Sequence, residues 1–279
     1  MPVIDTLSNI AKNVNAVEYS YEYSICTLVT KLEEYHEMLQ SFLDNGFDKE
    51  TCEYIFIDNT VNSGIDAYKG LNIFLQKANG RYIIICHQDI LISEHNRNDL
   101  TKRITEIENA DNNWAILGNA GGVNFKWIAT NITQGSGRKI LEPRLPLLTQ
   151  TVDENFMVIK NSANLALSNN LKGFHMYGPD ISLIADILGF NSYVIDFLII
   201  HKSNGNAGED FIRSKKQFLN KYNKALRGRF MSTTITKYYI GGNRLRALLF
   251  NFQPIKFFVR QFFKAFLRKG RYVLKVIKL

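Results

Sequence analysis

The sequence predicts an α/β protein with a mostly parallel central sheet flanked by helices. Apolar strand-like runs alternate with amphipathic helical stretches over the first two hundred residues, and this order implies parallel pairing through right-handed crossovers. Several of the strands are continuous apolar runs, which is typical of a sheet buried on both faces. With 279 residues, 46% of them hydrophobic, the chain has enough apolar surface for a large core.

The elements follow one another in near alternation. In chain order we predict a strand at 23–30, a helix at 32–43, a strand at 52–59, a helix at 65–78, a strand at 81–89, a helix at 97–110, strands at 114–123 and 152–162, a helix at 181–190 and a last strand ending at His201. The stretch 124–150 has no clear periodicity, so it is predicted as a long loop of the kind that often forms a lid or binding loop.

The distribution of charge divides the chain into two parts. The last acidic residue is Asp210, and residues 211–279 carry 18 of the 34 Lys and Arg residues. The first 210 residues carry the other 16 basic residues together with all 26 Asp and Glu residues. The sequence therefore predicts an α/β domain over 1–210 and a basic helical tail over 211–279.

The amino terminus and the cysteines indicate the compartment. Residues 1–24 lack a basic segment followed by an apolar one, so no secretory signal is predicted. Cys26, Cys52 and Cys86 are odd in number and have no CxxC spacing, and each falls in a predicted strand. This pattern predicts buried, reduced thiols in a cytoplasmic protein.

Polar residues follow the third predicted strand. The run "RYIIICHQD" ends in His87, Gln88 and Asp89, and in open α/β sheets ligands bind at the carboxyl ends of the strands. A carboxylate at this edge is a suitable ligand for Mg²⁺ or Mn²⁺. The alternative is that Asp89 only accepts backbone hydrogen bonds at the end of the strand.

Four segments occur in a fixed order along the chain. They are "IFIDNTVNSG", "ANGRYIIICHQDILI", "GFHMYGPDISLIADILGFNSYVI" and "IIHKSNGN". In this order they resemble the base-contacting strand end, the DxD stretch, the segment with the catalytic carboxylate and the metal-binding histidine of the nucleotide-sugar glycosyltransferases of the GT-A fold. The resemblance is strongest to the family-2-like bacterial enzymes and covers residues 22–208. At the DxD position only the final Asp is retained.

The resemblance implies an inverting, metal-assisted transfer of a hexosyl or related sugar from a nucleotide-sugar donor, with UDP as the most frequent nucleotide of the family. It implies that the following residues contact the nucleotide-sugar: Thr30, Asp58, Asn59, His87, Gln88 and Asp89. The implied metal ligands are Asp89 and His201, with Mn²⁺ or Mg²⁺ as the ion. His87 is a further candidate ligand, and Mn²⁺ tolerates a nitrogen ligand better than Mg²⁺ does.

Acidic residues are also implied in the transfer step. Asp180 matches the family's catalytic base, which takes a proton from the acceptor hydroxyl, and the alternative is that it caps the following helix. Asp153 and Glu154 lie where the family borders the acceptor, and the alternative for both is a solvated turn. Asp58 and Asn59 fit a plain loop turn equally well.

The tail contains a strongly amphipathic helical pattern over 253–271. Lys256, Arg260, Lys264 and Arg268 recur every four residues, and apolar residues, many of them Phe, fall mainly on the other side. The sequence contains no uncharged apolar run of about 18 residues, so the pattern favours a helix that lies on an anionic membrane surface. A helix docked on the catalytic domain is the alternative. Nucleic acid is not expected as a partner, because the rest of the chain shows no recognition fold.

These observations predict a glycosyltransferase that is peripheral on the inner face of a bacterial cell membrane. Its acceptor would be a saccharide or a lipid-linked saccharide in surface-glycan synthesis, a setting that comes from the resemblance. Two other functions remain open. A nucleotidyltransferase on a similar sheet would release pyrophosphate, and an inactive membrane-bound scaffold would bind nucleotide without turnover.

Overall fold

The computed structural model describes residues 10–11, 14, 16–61, 64–203 and 208–268, with no side chains for 265–268. Parts of four predicted features therefore lie outside the described residues: half of the amino-terminal stretch 1–24, residues 62–63 of "IFIDNTVNSG", the end of "IIHKSNGN" and residues 269–271 of the tail helix. The chain divides into two compact units, Met1–Lys216 and Gln217–Leu279.

A seven-stranded sheet is the centre of the first unit. The strands of this unit are β1 (Tyr21–Val29), β2 (Cys52–Asp58), β3 (Gly80–Cys86), β4 (Ile90–Leu91), β5 (Trp114–Gly118), β6 (Ala120–Gly122), β7 (Ile128–Thr130), β8 (Ile132–Gln134), β9 (Lys139–Ile140), β10 (Leu147–Thr149), β11 (Thr151–Val152), β12 (Phe156–Lys160), β13 (Asn191–Val194) and β14 (Ile199–His201). The central sheet has the order β10-β13-β5-β12-β3-β1-β2, and all but β10 and β12 run in one direction. The predicted mostly parallel α/β class is confirmed.

Helices cover both faces of this sheet. They are α1 (Leu32–Asp44), α2 (Ala67–Lys77), α3 (Arg97–Ala110) and α4 (Tyr177–Ile187). A further helix, α5 (Glu209–Ala225), contains the boundary between the units. On one face, Met38 of α1 and Ile104 of α3 belong to the same buried core cluster as Ile25 of β1. On the other face α2 approaches so closely that a Cβ at Gly70 would lie 2.6 Å from Leu28. The three cysteines are buried and unpaired, as predicted.

The stretch predicted as a long loop, 124–150, contains four short strands. Strand β7 pairs with β6, β8 pairs with β9 and β14, and β10 extends the central sheet beside β13. These strands have two or three residues each, which is too short for a periodic pattern of polar and apolar residues. Two of the pairings, β8 with β14 and β10 with β13, join residues that are far apart in the chain, so the sequence of the stretch alone does not reveal them.

The second unit contains a hairpin followed by two helices. The hairpin consists of β15 (Arg229–Ser232) and β16 (Lys237–Ile240), and the helices are α6 (Arg244–Asn251) and α7 (Gln253–Arg268). The Asn251 side chain joins α6 to the hairpin, because its amide exchanges hydrogen bonds with the backbone N–H and C=O of Tyr239 at 2.9 and 2.8 Å. Among the described residues, no helix has the length and hydropathy that crossing a bilayer requires.

Candidate active site

Three parallel strands bring the predicted nucleotide-sugar residues to one edge of the central sheet. Strand β1 lies between β2 and β3, and Val29 at its end is opposite Asp58 at the end of β2. Thr30, Asn59 and the turn 87–89 follow directly after the three strands. They therefore lie at the carboxyl edge, where α/β sheets bind ligands.

Gln88 joins the ends of β1 and β3. Its Oε1 accepts hydrogen bonds from the backbone N–H groups of Thr30 and Lys31 at 2.7 and 3.0 Å. Its Nε2 donates to Thr30 Oγ1 and to Glu34 at 3.0 Å each. The side chain predicted to contact the nucleotide-sugar is therefore engaged with the start of α1, where it satisfies backbone donors that the helix leaves unpaired.

Asp58 and Asn59 differ in their availability to a ligand. Asp58 is exposed, and its Oδ1 accepts hydrogen bonds from the hydroxyl and the backbone N–H of Thr60 at 2.6 and 2.8 Å. These bonds hold the pKa of Asp58 below its usual value. Asn59 is buried, and its Nδ2 donates to the carbonyl of Ile65 at 2.9 Å. Asp58 thus faces solvent, whereas Asn59 closes the turn.

His87, Asp89 and His201 form a cluster beside this edge. Strand β14 pairs with β4 so that His201 is opposite Ile90, and the backbone N–H of Lys202 donates to the carbonyl of Asp89 at 3.0 Å. Nε2 of His201 is 3.5 Å from Asp89 Oδ1, and Nδ1 of His87 is 3.9 Å from the same oxygen. The three ligand atoms lie within 4.8 Å of one another. One carboxylate and two imidazoles at this spacing suit a divalent cation.

Tyr177 determines which nitrogen of His87 is free. Its hydroxyl donates to the backbone carbonyl of Glu154 at 3.2 Å and lies 2.8 Å from His87 Nε2. Because the hydroxyl has a single hydrogen, His87 Nε2 must be the donor in the second bond, and Nδ1 carries the lone pair. Nδ1 is also the atom that faces Asp89. The hydrogen-bond network therefore selects the tautomer that can bind a cation together with Asp89.

The electrostatics of the cluster favour the protonation states that bind metal. Burial by itself would raise the pKa of Asp89. Hydrogen bonds from His201 and Ser203 and the proximity of both histidines outweigh this effect and hold the pKa of Asp89 well below its usual range. Burial and the neighbouring His201 lower the pKa of His87. At neutral pH the carboxylate is charged and His87 is neutral, as metal coordination requires.

The cluster borders a cavity of about 660 Å³. This volume lies within the range of about 300–1,000 Å³ that is usual for small-molecule sites. His87 and His201 line one part of the cavity, Asp153 and Glu154 line another, and the backbone of β6 contributes Gly121. The cavity thus brings the two acceptor residues predicted from the sequence into the same space as the two histidines.

Glu154 lies against the first turn of α4. Its Oε1 accepts a hydrogen bond from the backbone N–H of Gly178 at 3.1 Å. A Cβ at Gly178 would lie 2.5 Å from the carbonyl oxygen of Val152 and 3.0 Å from Glu154 Cγ, so glycine leaves the space that the Glu154 side chain occupies. Burial is the dominant influence on this carboxyl and raises the pKa of Glu154 to about 8. Asp153 is exposed, and its Oδ1 accepts from the backbone N–H of Asn155 at 3.0 Å.

Asp180, the predicted base, does not line the cavity. It is fully buried, and its carboxylate accepts hydrogen bonds from the backbone N–H and the hydroxyl of Ser168 at 2.8 and 2.5 Å. The capping alternative does not hold either, because α4 begins at Tyr177 and Met176 occupies the cap position. In this position Asp180 fastens the segment around Ser168 to α4, and an acceptor in the cavity does not meet it.

The structure adds three residues to the site that the sequence did not single out, and two of them, Asn155 and Met176, line the cavity. Tyr177 fixes His87, as described above. Asn155 is buried, and its Oδ1 has no hydrogen-bond partner among the described residues. Met176 has a left-handed backbone conformation, φ 67°, which costs a non-glycine residue about 1–3 kcal/mol and is common near functional sites. No sequence pattern marks these residues, because each role depends on neighbours that are distant in the chain.

Comparison with known proteins gives one relative in sequence and several in structure. No family model matches the chain. A protein of Fuscovulum blasticum named "ATP synthase subunits region ORF 6" is 29% identical over 231 residues, which cover 81% of this chain and 93% of that protein. Its name states no activity.

The similar solved structures include nucleotide-sugar glycosyltransferases. A complex of TarS residues 1–349 from S. aureus with UDP has a TM-score of 0.49 at 13% identity and covers 72% of this chain and 65% of that one. A mannosyltransferase from Pyrobaculum calidifontis in complex with GDP-Man and Mn²⁺ has a TM-score of 0.48 at 12% identity and covers 80% and 70%. This chain therefore spans less than two thirds of the TarS fragment. Similarities of this size do not transfer an activity from one chain to another.

Proposed function

We propose that this chain is a metal-assisted, inverting glycosyltransferase of the GT-A type, similar to the family-2 enzymes. It transfers a hexosyl or related sugar from a nucleotide-sugar donor, with UDP as the leading candidate for the nucleotide. The observation that carries the proposal is the cluster of His87, Asp89 and His201 at the carboxyl edge of the central sheet. The cluster borders a cavity of about 660 Å³, which is large enough for a sugar.

The three clustered residues would hold Mn²⁺ or Mg²⁺, and their two nitrogen ligands favour Mn²⁺. A bound cation of this kind stabilises the negative charge of the leaving diphosphate. On the protein side, Asp58 and Thr30 lie at the adjacent strand ends, where the base and ribose of the donor would bind. Asp153 and Glu154 border the cavity on the acceptor side.

The basic tail supports the proposed location, and the proposed acceptor comes from the resemblance. Phe257, Phe258 and Phe262 of α7 are 58%, 71% and 65% exposed, and Arg260 and Lys264 are exposed on the same helix. Residues 211–279 contain no acidic side chain. Exposed Phe together with Lys and Arg suits the surface of an anionic leaflet. We propose that residues 211–279 attach the enzyme to the inner face of a bacterial membrane, where a lipid-linked saccharide is the acceptor in surface-glycan synthesis.

Calorimetric titration of UDP, GDP, CDP and dTDP into the protein, each with and without Mn²⁺, tests the proposal. We expect one nucleotide to bind more tightly when Mn²⁺ is present. Asp89→Asn should lose this gain, because the amide keeps the shape of the side chain but removes the charge that the cation requires.

Asp44→Asn is the matched control for this experiment. Asp44 is exposed at the far end of α1, so the Asp44→Asn variant should bind the nucleotide as the wild type does. Absence of metal-dependent binding for all four nucleotides would contradict the proposal. Nucleotide binding without turnover of any donor would favour the scaffold, and release of pyrophosphate in place of a nucleoside diphosphate would favour a nucleotidyltransferase.

A further inference from the structure

We propose that Glu154 is the general base that takes the proton from the acceptor hydroxyl. This inference rests on the proposed glycosyl transfer and identifies the side chain that carries out its proton transfer. The sequence favoured Asp180 for this role, but the carboxylate of Asp180 is buried against Ser168 and does not line the cavity. Glu154 does line it, together with both histidines of the metal cluster.

The position of the Glu154 carboxylate is fixed by α4. One carboxylate oxygen accepts from the backbone N–H of Gly178, and the N–H groups of Met176 and Tyr177 also act on the carboxylate. Since Gly178 has no side chain, Glu154 can lie directly against the first turn of the helix. A carboxylate held in one orientation at the wall of a cavity meets the geometric requirement for a general base.

The environment of Glu154 also indicates a polar ligand. Asn155 is adjacent in the chain and lines the same cavity, and its buried Oδ1 has no partner among the described residues. A buried acceptor without a partner costs free energy unless a ligand or water donates to it. A saccharide hydroxyl is a donor of the required kind.

The proposed step balances without any further reactant. The proton of the acceptor hydroxyl passes to the Glu154 carboxylate, and the oxygen uses the electron pair of its O–H bond to form a bond with the anomeric carbon of the donor. The bond between that carbon and the diphosphate oxygen breaks, and its electron pair leaves with the nucleoside diphosphate. Attack from the face opposite the leaving group inverts the anomeric configuration.

Several titratable groups lie around the cavity that Glu154 lines. Asp153 lies in the same turn, Tyr177 belongs to α4, His175 precedes this helix, and His87 and His201 lie in the wall formed by β3 and β14. Burial outweighs the amide hydrogen bonds and brings the pKa of Glu154 to about 8. A base with a pKa near the working pH combines a usable deprotonated fraction with a strong driving force for proton transfer.

Hydrolysis of UDP-glucose, UDP-GlcNAc and GDP-mannose in the presence of Mn²⁺ tests the role of Glu154, with water in place of the acceptor. For the donor that the wild type accepts, Glu154→Gln should reduce turnover by about 10²–10⁴-fold. Binding of the nucleoside diphosphate should change by less than about two-fold, because the amide oxygen can still accept from Gly178. Glu50→Gln, in the exposed turn before β2, is the matched control.

Two further readouts separate a base from a purely structural residue. The wild-type kcat/KM should rise with pH and level off above about pH 8, because only the deprotonated carboxylate is active, and Glu154→Gln should lose this dependence. Azide is a nucleophile without a proton, so its attack on the donor needs no base. With azide in place of water, Glu154→Gln should form the glycosyl azide at a rate within about ten-fold of the wild-type rate.

Equal rates of hydrolysis by the wild type and Glu154→Gln would overturn the assignment of Glu154 alone. Absence of turnover by the wild type with every donor would overturn the proposed transfer, and this inference with it.

Discussion

Among single residues, the hydroxyl of Tyr177 has an effect that is separate from its packing. It accepts a hydrogen bond from His87 Nε2 and donates to the carbonyl of Glu154, so it fixes the tautomer of His87. In Tyr177→Phe the ring still fills its buried position, but His87 loses this partner. We expect the affinity for Mn²⁺ to fall about 10–100-fold, as is usual when the hydrogen-bond partner of a metal ligand is removed. Titration of Mn²⁺ followed by electron paramagnetic resonance measures this affinity without any substrate.

Tyr54→Phe is the control for the tyrosine experiment. The hydroxyl of Tyr54 donates to the carbonyl of Phe47 at 2.6 Å, so this variant loses a hydrogen bond that does not involve the cluster. Its affinity for Mn²⁺ should equal that of the wild type. If Tyr177→Phe also binds Mn²⁺ as the wild type does, the tautomer of His87 is not set by Tyr177.

The sequence predicts the candidate metal residues better than the candidate base. Asp89 is predictable because it follows the apolar strand β3 of the central sheet, and ligands bind at the carboxyl edge of such a sheet. His201 ends β14, which lies outside the central sheet and pairs antiparallel with β4, so its place in the cluster was predicted from the resemblance. The base depends on a smaller detail. A helix that starts at 181 leaves Asp180 at its cap, whereas the observed start at Tyr177 places Asp180 inside the first turn and against Ser168. A difference of four residues in a helix start changes which carboxylate reaches the cavity, and sequence patterns do not resolve helix ends so finely.

At the scale of an element, the start of α1 depends on a residue from another strand. Lys31 at its cap position makes no side-chain capping bond, and Gln88 accepts from the backbone N–H groups of Thr30 and Lys31 instead. Gln88→Ala leaves these donors to solvent and should lower the free energy of unfolding by about 1–2 kcal/mol, the usual effect of losing a cap. Urea denaturation followed by circular dichroism measures the change.

Gln76→Ala provides the comparison for Gln88→Ala. Gln76 is exposed on α2, and alanine has a slightly higher helix propensity than glutamine. The Gln76→Ala substitution should therefore change the free energy of unfolding by less than about 0.5 kcal/mol. Equal stability of the two variants would show that Gln88 does not cap α1.

The long elements of the first unit follow from the sequence and the short ones do not. Strands β1, β2 and β3 are apolar runs of seven or nine residues, and the predicted helices between them are found at nearly the same positions. Strands β4 and β11 have two residues each, and their partners, β14 and β6, come from distant parts of the chain. Such strands exist because the surrounding fold supplies a partner, a property that is not encoded locally.

For the molecule as a whole, the contrast in charge between the two parts of the chain leads to a prediction about membranes. Deleting residues 245–279 removes most of α6 and all of α7, including the exposed phenylalanines of α7. We expect the truncated protein to lose binding to vesicles that contain anionic lipid, since the exposed phenylalanines of α7 and nine of the 18 basic residues of the tail are lost. Hydrolysis of the donor should stay largely intact, because no residue of the cavity is removed. Vesicle sedimentation measures the binding.

Vesicles of neutral lipid are the control for this measurement. The full chain should bind them more weakly than anionic vesicles, and its binding to anionic vesicles should weaken as salt is added. Binding of the truncated protein to anionic vesicles at the level of the full chain would show that the tail is not the attachment site.

The close contact between Gly178 and Glu154 also limits how this site can change in evolution. A Cβ at 178 would lie 3.0 Å from Glu154 Cγ and 2.5 Å from the carbonyl oxygen of Val152. The closer of these contacts is with the backbone, so a shorter side chain at 154 would not make room for a side chain at 178. Relatives that keep this packing of the helix against Val152 should therefore keep glycine at the position of Gly178, whichever residue stands at the position of Glu154.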